Sequence, residues 1–134
     1  MHAWHGRIRP TTEAAAEIKP VGVGINVLPH ASQILCTHLG LEDALTAVSV
    51  ITKEAIFFNR FGQKIYSEPA GRLAGYSTPQ FSIHRGELQA VLLQAFLQRV
   101  GAAHLHLGWS GQSVDAESGI VTLQNGDARQ TVQA

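Results

Sequence analysis

The chain has 134 residues, 45% hydrophobic and 15% charged, the balance of one globular domain with a core and not of a disordered segment. Ten basic and ten acidic residues leave a formal net charge of zero, so no basic surface argues for nucleic acid or an acidic membrane. One cysteine, Cys36, excludes a disulfide framework. With no apolar run near the roughly 18 to 20 residues of a span and no leader-like start, a cytoplasmic location is expected.

In chain order, Arg7 to Thr12 reads as a short strand, held to an edge by Pro10. Ala14 to Glu17 has the composition of one helical turn, which Lys19-Pro20 breaks. Val21 to Asn26 carries two glycines one residue apart, Gly22 and Gly24. A dinucleotide fingerprint is excluded there, because Val27 stands where the third glycine belongs. Two readings stay open for this stretch: backbone passing close to a partner, or a glycine-rich turn. Pro29 suits the first turn of a helix whose apolar side is Ile34, Leu35, His38 and Leu39, with Gly40-Leu41 as a left-handed cap. Cys36 reads as inert packing in that helix.

A short helix is expected over Glu42 to Ala47 and an extended segment over Val48 to Thr52. Glu54 to Phe58 then pairs with Gln63 to Ser67 across a four-residue loop. Pro69 to Pro79 reads as a loop around Arg72 and Tyr76. From Arg85, apolar residues at Leu88, Val91, Leu92, Ala95 and Phe96 have the spacing of one buried helical stripe. Glu87 and Arg99 complement the helix dipole, and Gly101 is the stop. Arg85 is a cation where the dipole favours an anion. It either faces an anionic ligand or is paired at the surface, for instance with Glu87. Ala103 to Leu107 reads as a strand, followed by a meander over Gln112 to Asp115, Ile120 to Gln124 and Ala128 to Val132. His104 with His106, and His2 with His5, are pairs lacking a thiol or carboxylate at ligand spacing, so no metal is expected.

In order and spacing, four stretches resemble the FAD-dependent monooxygenases of the aromatic-hydroxylase type, especially the branch of phenazine and salicylate hydroxylases. They are Glu13 to Ile18, Gly22 to Asn26 with Leu28 to Ala31, Leu39 to Leu41, and Ser82 to Gln89, within roughly Arg9 to Val114. The resemblance implies an α/β fold: a partial FAD-binding domain of the glutathione-reductase-like Rossmann type, with an inserted β-hairpin layer and an antiparallel meander. It implies FAD as cofactor, NADH or NADPH as reductant, O₂ and a small aromatic substrate. Glu13 would bind the adenosine ribose. The backbone of Val21 to Asn26 would pass by the flavin, with Gly22, Val23 and Gly24 as its contacts. Arg85 and, one turn on, Gln89 would contact FAD, and Val114 would take the adenine through its backbone. The hairpin from Glu54 to Ser67 would belong to the sheet covering the substrate.

The sequence also departs from that family. No Gly-rich strand–turn–helix precedes Glu13, and the later acid-glycine motifs do not occur. The expectation is therefore residues 1–134 as one partial domain, an internal piece of a longer flavoenzyme without activity alone. The alternative is a non-catalytic remnant acting as a binding or interaction module, self-associating through exposed sheet edges.

Overall fold

The computed structural model describes residues 11–133. The His2 and His5 pair and Arg7 to Pro10 of the strand expected over Arg7 to Thr12 lie outside them. The chain divides into two units, residues 1–19 with 95–134, and residues 20–94.

In the second unit the central element is a three-stranded antiparallel sheet. Strand β6 (Gln80–His84) lies between β2 (Gly24–Val27) and β3 (Ser49–Thr52), with Val27 opposite Phe81 and Gly24 opposite His84. Side chains alternate across a strand, so β6 buries Phe81 and Ile83 and turns Ser82 and His84 to the other face. The buried face packs with α1 (Pro29–Gln33) and, beside β3, α2 (Glu42–Ala47). The core is Val27, Cys36, Leu41, Leu45, Phe81 and Ile83.

The helix opened by Pro29 departs from the expected pattern. After α1 it widens into a π-helical turn, Ile34–His38, closed by the Leu39 amide on the Ile34 carbonyl at 3.1 Å. The wider turn shifts the side-chain phase. Ser32 and Cys36 face inward, whereas Ile34 and His38, expected on the apolar side, are exposed. The cap is as expected: Gly40 has φ +60° and Leu41 is buried. Helix α2 also has its expected bounds.

The hairpin pairs β4 (Glu54–Phe58) with β5 (Lys64–Pro69), with a bulge beside Phe57 and Phe58. Its loop is one residue longer than expected, because Asn59 Oδ1 accepts from the amides of both Phe61 and Gln63 and holds Gln63 in the turn. A 3₁₀ turn, Gly71–Ala74, occupies the segment expected to be loop.

Helix α3 (Arg85–Arg99) ends as the sequence indicates, with Gly101 at φ +97°. Its expected stripe is not buried, however. Leu92 is exposed, and Leu88, Val91, Ala95 and Phe96 are half-buried, with Gly86 the helix's one buried residue. Periodicity reports which side of a helix is apolar, not how much cover the fold supplies.

The first unit holds a parallel pair, β1 (Thr11–Glu13) with β7 (Leu105–Leu107), and the antiparallel meander β8 (Ser110–Asp115), β9 (Ile120–Asn125) and β10 (Ala128–Gln133). Ala14 to Glu17 is bent chain and not a helical turn, because Gly108 and Trp109 donate to the carbonyls of Ala15 and Glu13. The strand expected from Ala103 begins only at Leu105, after a 3₁₀ turn that contains His104. His104 and His106 therefore do not share one strand. The architecture is mixed α/β with antiparallel sheets, including the expected hairpin and meander. Among the described residues no helix is long and apolar enough to cross a membrane.

Candidate functional site

The outward face of the β2–β6 pair borders a cavity of about 400 Å³, lined by Gly24, Ile25, Asn26, Ser82, Ile83 and His84. Its polar floor is a directed chain of hydrogen bonds. Ser82 Oγ donates to Asn26 Oδ1 at 2.6 Å, and one hydroxyl carries one proton, so in the 2.7 Å contact with Thr52 the threonine is the donor. With its oxygen engaged, the exposed Asn26 side chain keeps its amide N–H groups as unused donors.

At the end of β6 the chain turns directly into α3, and His84 fixes the junction. Its Nδ1 accepts from the Gly86 amide at 3.1 Å, which puts the ring proton on Nε2, where it donates to the Gly22 carbonyl at 2.9 Å. Beside it the Arg85 amide donates to the Val23 carbonyl at 3.0 Å, and Arg85 Nε to the Val21 carbonyl at 3.3 Å. The strap of residues 20–23 is thus tied to the start of α3 by three hydrogen bonds. They leave the terminal nitrogens of the exposed Arg85 without a partner among the described residues.

This geometry decides between the two readings of the glycine stretch. Gly22 has φ +135°, and a Cβ there would lie 2.4 Å from Arg85 Nε, so the partner its backbone approaches is Arg85. Gly24 has no such reason inside the chain: it is a strand residue, and an added Cβ meets nothing within 4 Å. It also lines the cavity. Arg85 takes neither an exposed salt bridge to Glu87 nor a buried one. The ion pairs among the described residues are Lys19–Glu17 and Arg72–Glu42.

Gly22, Val23, Gly24 and Arg85 are therefore brought together, and Gln89, exposed four residues on, follows Arg85 on the same helix face. Glu13 and Val114 belong to the other unit. Glu13 closes β1, where its Oε1 accepts the Ala15 amide at 2.9 Å. Val114 stands opposite Val121 on β8, its side chain exposed. Sequence reasoning missed the side chains of Asn26, Ser82 and His84 as members of the site. The signal was present: alternation on β6 puts Ser82 and His84 opposite to Phe81 and Ile83. It missed Gly86 too, whose Cβ would lie 2.8 Å from Pro20 Cβ.

The donor set is cationic or neutral: the Asn26 amide in the cavity lining and, on the adjoining start of α3, the Arg85 guanidinium and the Gln89 amide; no carboxylate lines the cavity. Such a set suits phosphate, carbonyl and hydroxyl oxygens. Among the described residues no group of three or more His, Cys, Asp or Glu side chains could hold a metal ion.

No family model matches the chain. It is 45% identical over 96 residues to phenazine 1,6-dicarboxylic acid hydroxylase PhzS of Lysobacter antibioticus, covering 72% of this chain and 23% of that protein. The chain thus spans about a quarter of that relative's length. Among solved structures, p-nitrophenol 4-monooxygenase PnpA from Pseudomonas putida DLL-E4 aligns with TM-score 0.72 and 12% identity, over 90% of this chain and 31% of that one. A variant of 2-methyl-3-hydroxypyridine-5-carboxylic acid oxygenase aligns with TM-score 0.69 and 19% identity, over 92% and 30%. At those identities the structures share the fold. The relationship in sequence is carried by the hydroxylase.

Proposed function

We propose, from the premise that the chain is a relative of the FAD-dependent monooxygenases of the aromatic-hydroxylase type, that it supplies a flavin-facing wall of such an enzyme. The observation that carries this reading is the junction of β2, β6 and α3. There Gly24 borders a cavity with no described atom within 4 Å of where its Cβ would stand, beside an arginine whose terminal nitrogens have no partner among the described residues. Arg85, with Gln89 behind it, would hold oxygens of FAD, and the backbone of Gly22, Val23 and Gly24 would pass along the ring system. His84 would keep the strap in place by holding its proton on Nε2. Asn26 would donate to an acceptor on the ring side. Glu13 and Val114 would serve the ribose and adenine, as parts of a glutathione-reductase-like Rossmann domain.

When bound, FAD supplies the redox chemistry, taking hydride from NADH or NADPH and activating O₂ toward a small aromatic ring. The residues of this chain bind, orient and exclude water; none of them is assigned as acid or base. The hairpin β4–β5 would form part of the substrate cover. We put the reaction in the cytoplasm, where reduced nicotinamide is available and Cys36 stays a thiol.

The test is FAD titration of the purified chain, followed by flavin fluorescence and absorbance. At about 1 mM FAD a binding free energy of about 4 kcal/mol becomes visible. Weak but saturable binding is expected, lowered about tenfold by Arg85→Ala and by Gly24→Ala. Gly24→Ala should leave stability within about 0.5 kcal/mol. Flavin binding that ignores both substitutions would overturn the assignment.

A further inference from the structure

A second cavity, of about 410 Å³, lies in the same unit at the other end of the β2–β6 pair, about 13 Å along the strands. Its size is within the ordinary range for small-ligand pockets. Leu28 and Pro69 give it apolar walls, and His30, Glu68, Tyr76 and Gln80 are its polar groups. His30 and Tyr76 stand edge to face, their ring centroids 5.9 Å apart at 65°. Five separate segments converge there: the start of α1, Ala55 of β4, the far end of β5, the turn from Gly71, and the first residue of β6.

Two features define what such a site accepts. First, its polar side chains are unspent: among the described residues, none of the His30, Glu68, Tyr76 or Gln80 side chains makes a hydrogen bond or ion pair. Second, its charge has one sign. Glu68 is the only Lys, Arg, Asp or Glu in the lining, and the nearby Arg72 is committed to Glu42 at 2.6 Å. Across the strand pair Glu68 faces Ala55, whose small side chain leaves the carboxylate room to reach a ligand.

We propose that this cavity is a binding site for a planar aromatic amine. The ring lies against the His30–Tyr76 corner, where an offset or edge-to-face contact contributes beyond its buried area. The amine N–H donates to the Glu68 carboxylate, a hydrogen bond charge-assisted through its acceptor. Gln80 and the Tyr76 hydroxyl serve a second polar group on the ring. A carboxylate on the ring meets the like charge of Glu68 with no Lys or Arg in the lining, and is disfavoured. The site therefore differs in sign from one built for a dicarboxylic acid, the substrate in the name of the hydroxylase relative.

The experiment titrates the isotopically labelled 134-residue chain with two rings of one shape, 6-aminoquinoline and quinoline-6-carboxylate, each followed by amide shifts in two-dimensional NMR. The amine should move the amides of His30, Ala55, Tyr76 and Gln80 and bind about tenfold more tightly than the carboxylate. Glu68→Gln, an exposed strand position, should bring the two probes within about twofold of each other. Tyr76→Ala should weaken both. The proposal is overturned if the carboxylate binds as tightly as the amine, if Glu68→Gln leaves the preference intact, or if the shifts map to Gly24–Asn26 and Ser82–His84 instead. FAD is absent throughout, so a failure here is separate from any failure of the flavin reading.

Discussion

Gly86→Ala sets two physical effects against each other. Helix propensity favours the change, since alanine exceeds glycine by about 1 kcal/mol in a helix interior and Gly86 is the second residue of α3. The packing opposes it. The added Cβ would lie 2.8 Å from Pro20 Cβ, 2.9 Å from its Cα and 3.0 Å from its carbonyl carbon. Two of those atoms are backbone, and the proline ring fixes its own φ, so no rotamer change relieves the overlap. Overpacking of this kind costs about 1–3 kcal/mol. Moving the strap to make room also strains the bonds of His84 to Gly22 and Arg85 to Val21, each worth up to about 1 kcal/mol. The clash outweighs propensity, and a net loss of about 1–3 kcal/mol follows. With an m-value of about 1–2 kcal/mol/M, the urea midpoint measured by far-UV circular dichroism should fall by about 1 M. A variant as stable as the parent, or more so, would refute the claim that the strap is wedged on the helix start.

Three further outcomes are expected. Ser32 is fully buried and donates to the Pro79 carbonyl at 2.6 Å, so Ser32→Ala leaves a buried acceptor unmet. It should lower stability by about 1–3 kcal/mol in urea titration; a neutral result would mean that water replaces the hydroxyl. Burial, then the Glu42 carboxylate, push the Cys36 thiol above its usual range against the opposing Arg72. The fold thus favours the protonated thiol, and stability should decline as pH rises past about 8.5, the unfolded value. Alkylation by iodoacetamide should run at least about tenfold slower in the native chain than in urea. Asp115, exposed at the end of β8 where the turn begins, is held below the usual carboxylate range by the Ser118 hydroxyl and the amides of Glu117 and Ser118. Its contribution is present above about pH 4 and fades as pH falls through the lower folded value. Asp115→Asn should therefore flatten the acid-side fall in urea midpoint, and an unchanged slope would count against the turn.

Much of the order of elements was legible because local chemistry fixes it. Gly40 with Leu41 ends a helix, Gly101 ends α3, and Asn59 to Gly62 and the turns at Gly119 and Gly126 reverse the chain, all through backbone conformations that glycine and asparagine favour. The family likeness was legible for a similar reason, since it rests on short stretches whose residue types are set by a strand, a turn or a helix start. What failed depends on long-range cover. Ile34 and His38 were placed inside and lie outside because a π-turn changed the phase of the helix. Leu92 was placed inside and is exposed because periodicity carries no information about neighbours.

Arg85 shows where the two kinds of information meet. Its residue type and its place at the start of an amphipathic helix are properties of the sequence, and they were enough to mark it as a cation in an unusual position. That Nε is spent on Val21, that His84 pins the strap beside it, and that Gly22 exists to let the guanidinium pass required residues more than sixty positions apart to meet. The sequence by itself determined the helix, its cation and its stop, because these follow from interactions within a few residues. Only the tertiary structure decided that Asn26, Ser82 and His84 share the face beside that cation. Which strands pair, and in what register, is settled by burying Phe81 and Ile83 against distant helices.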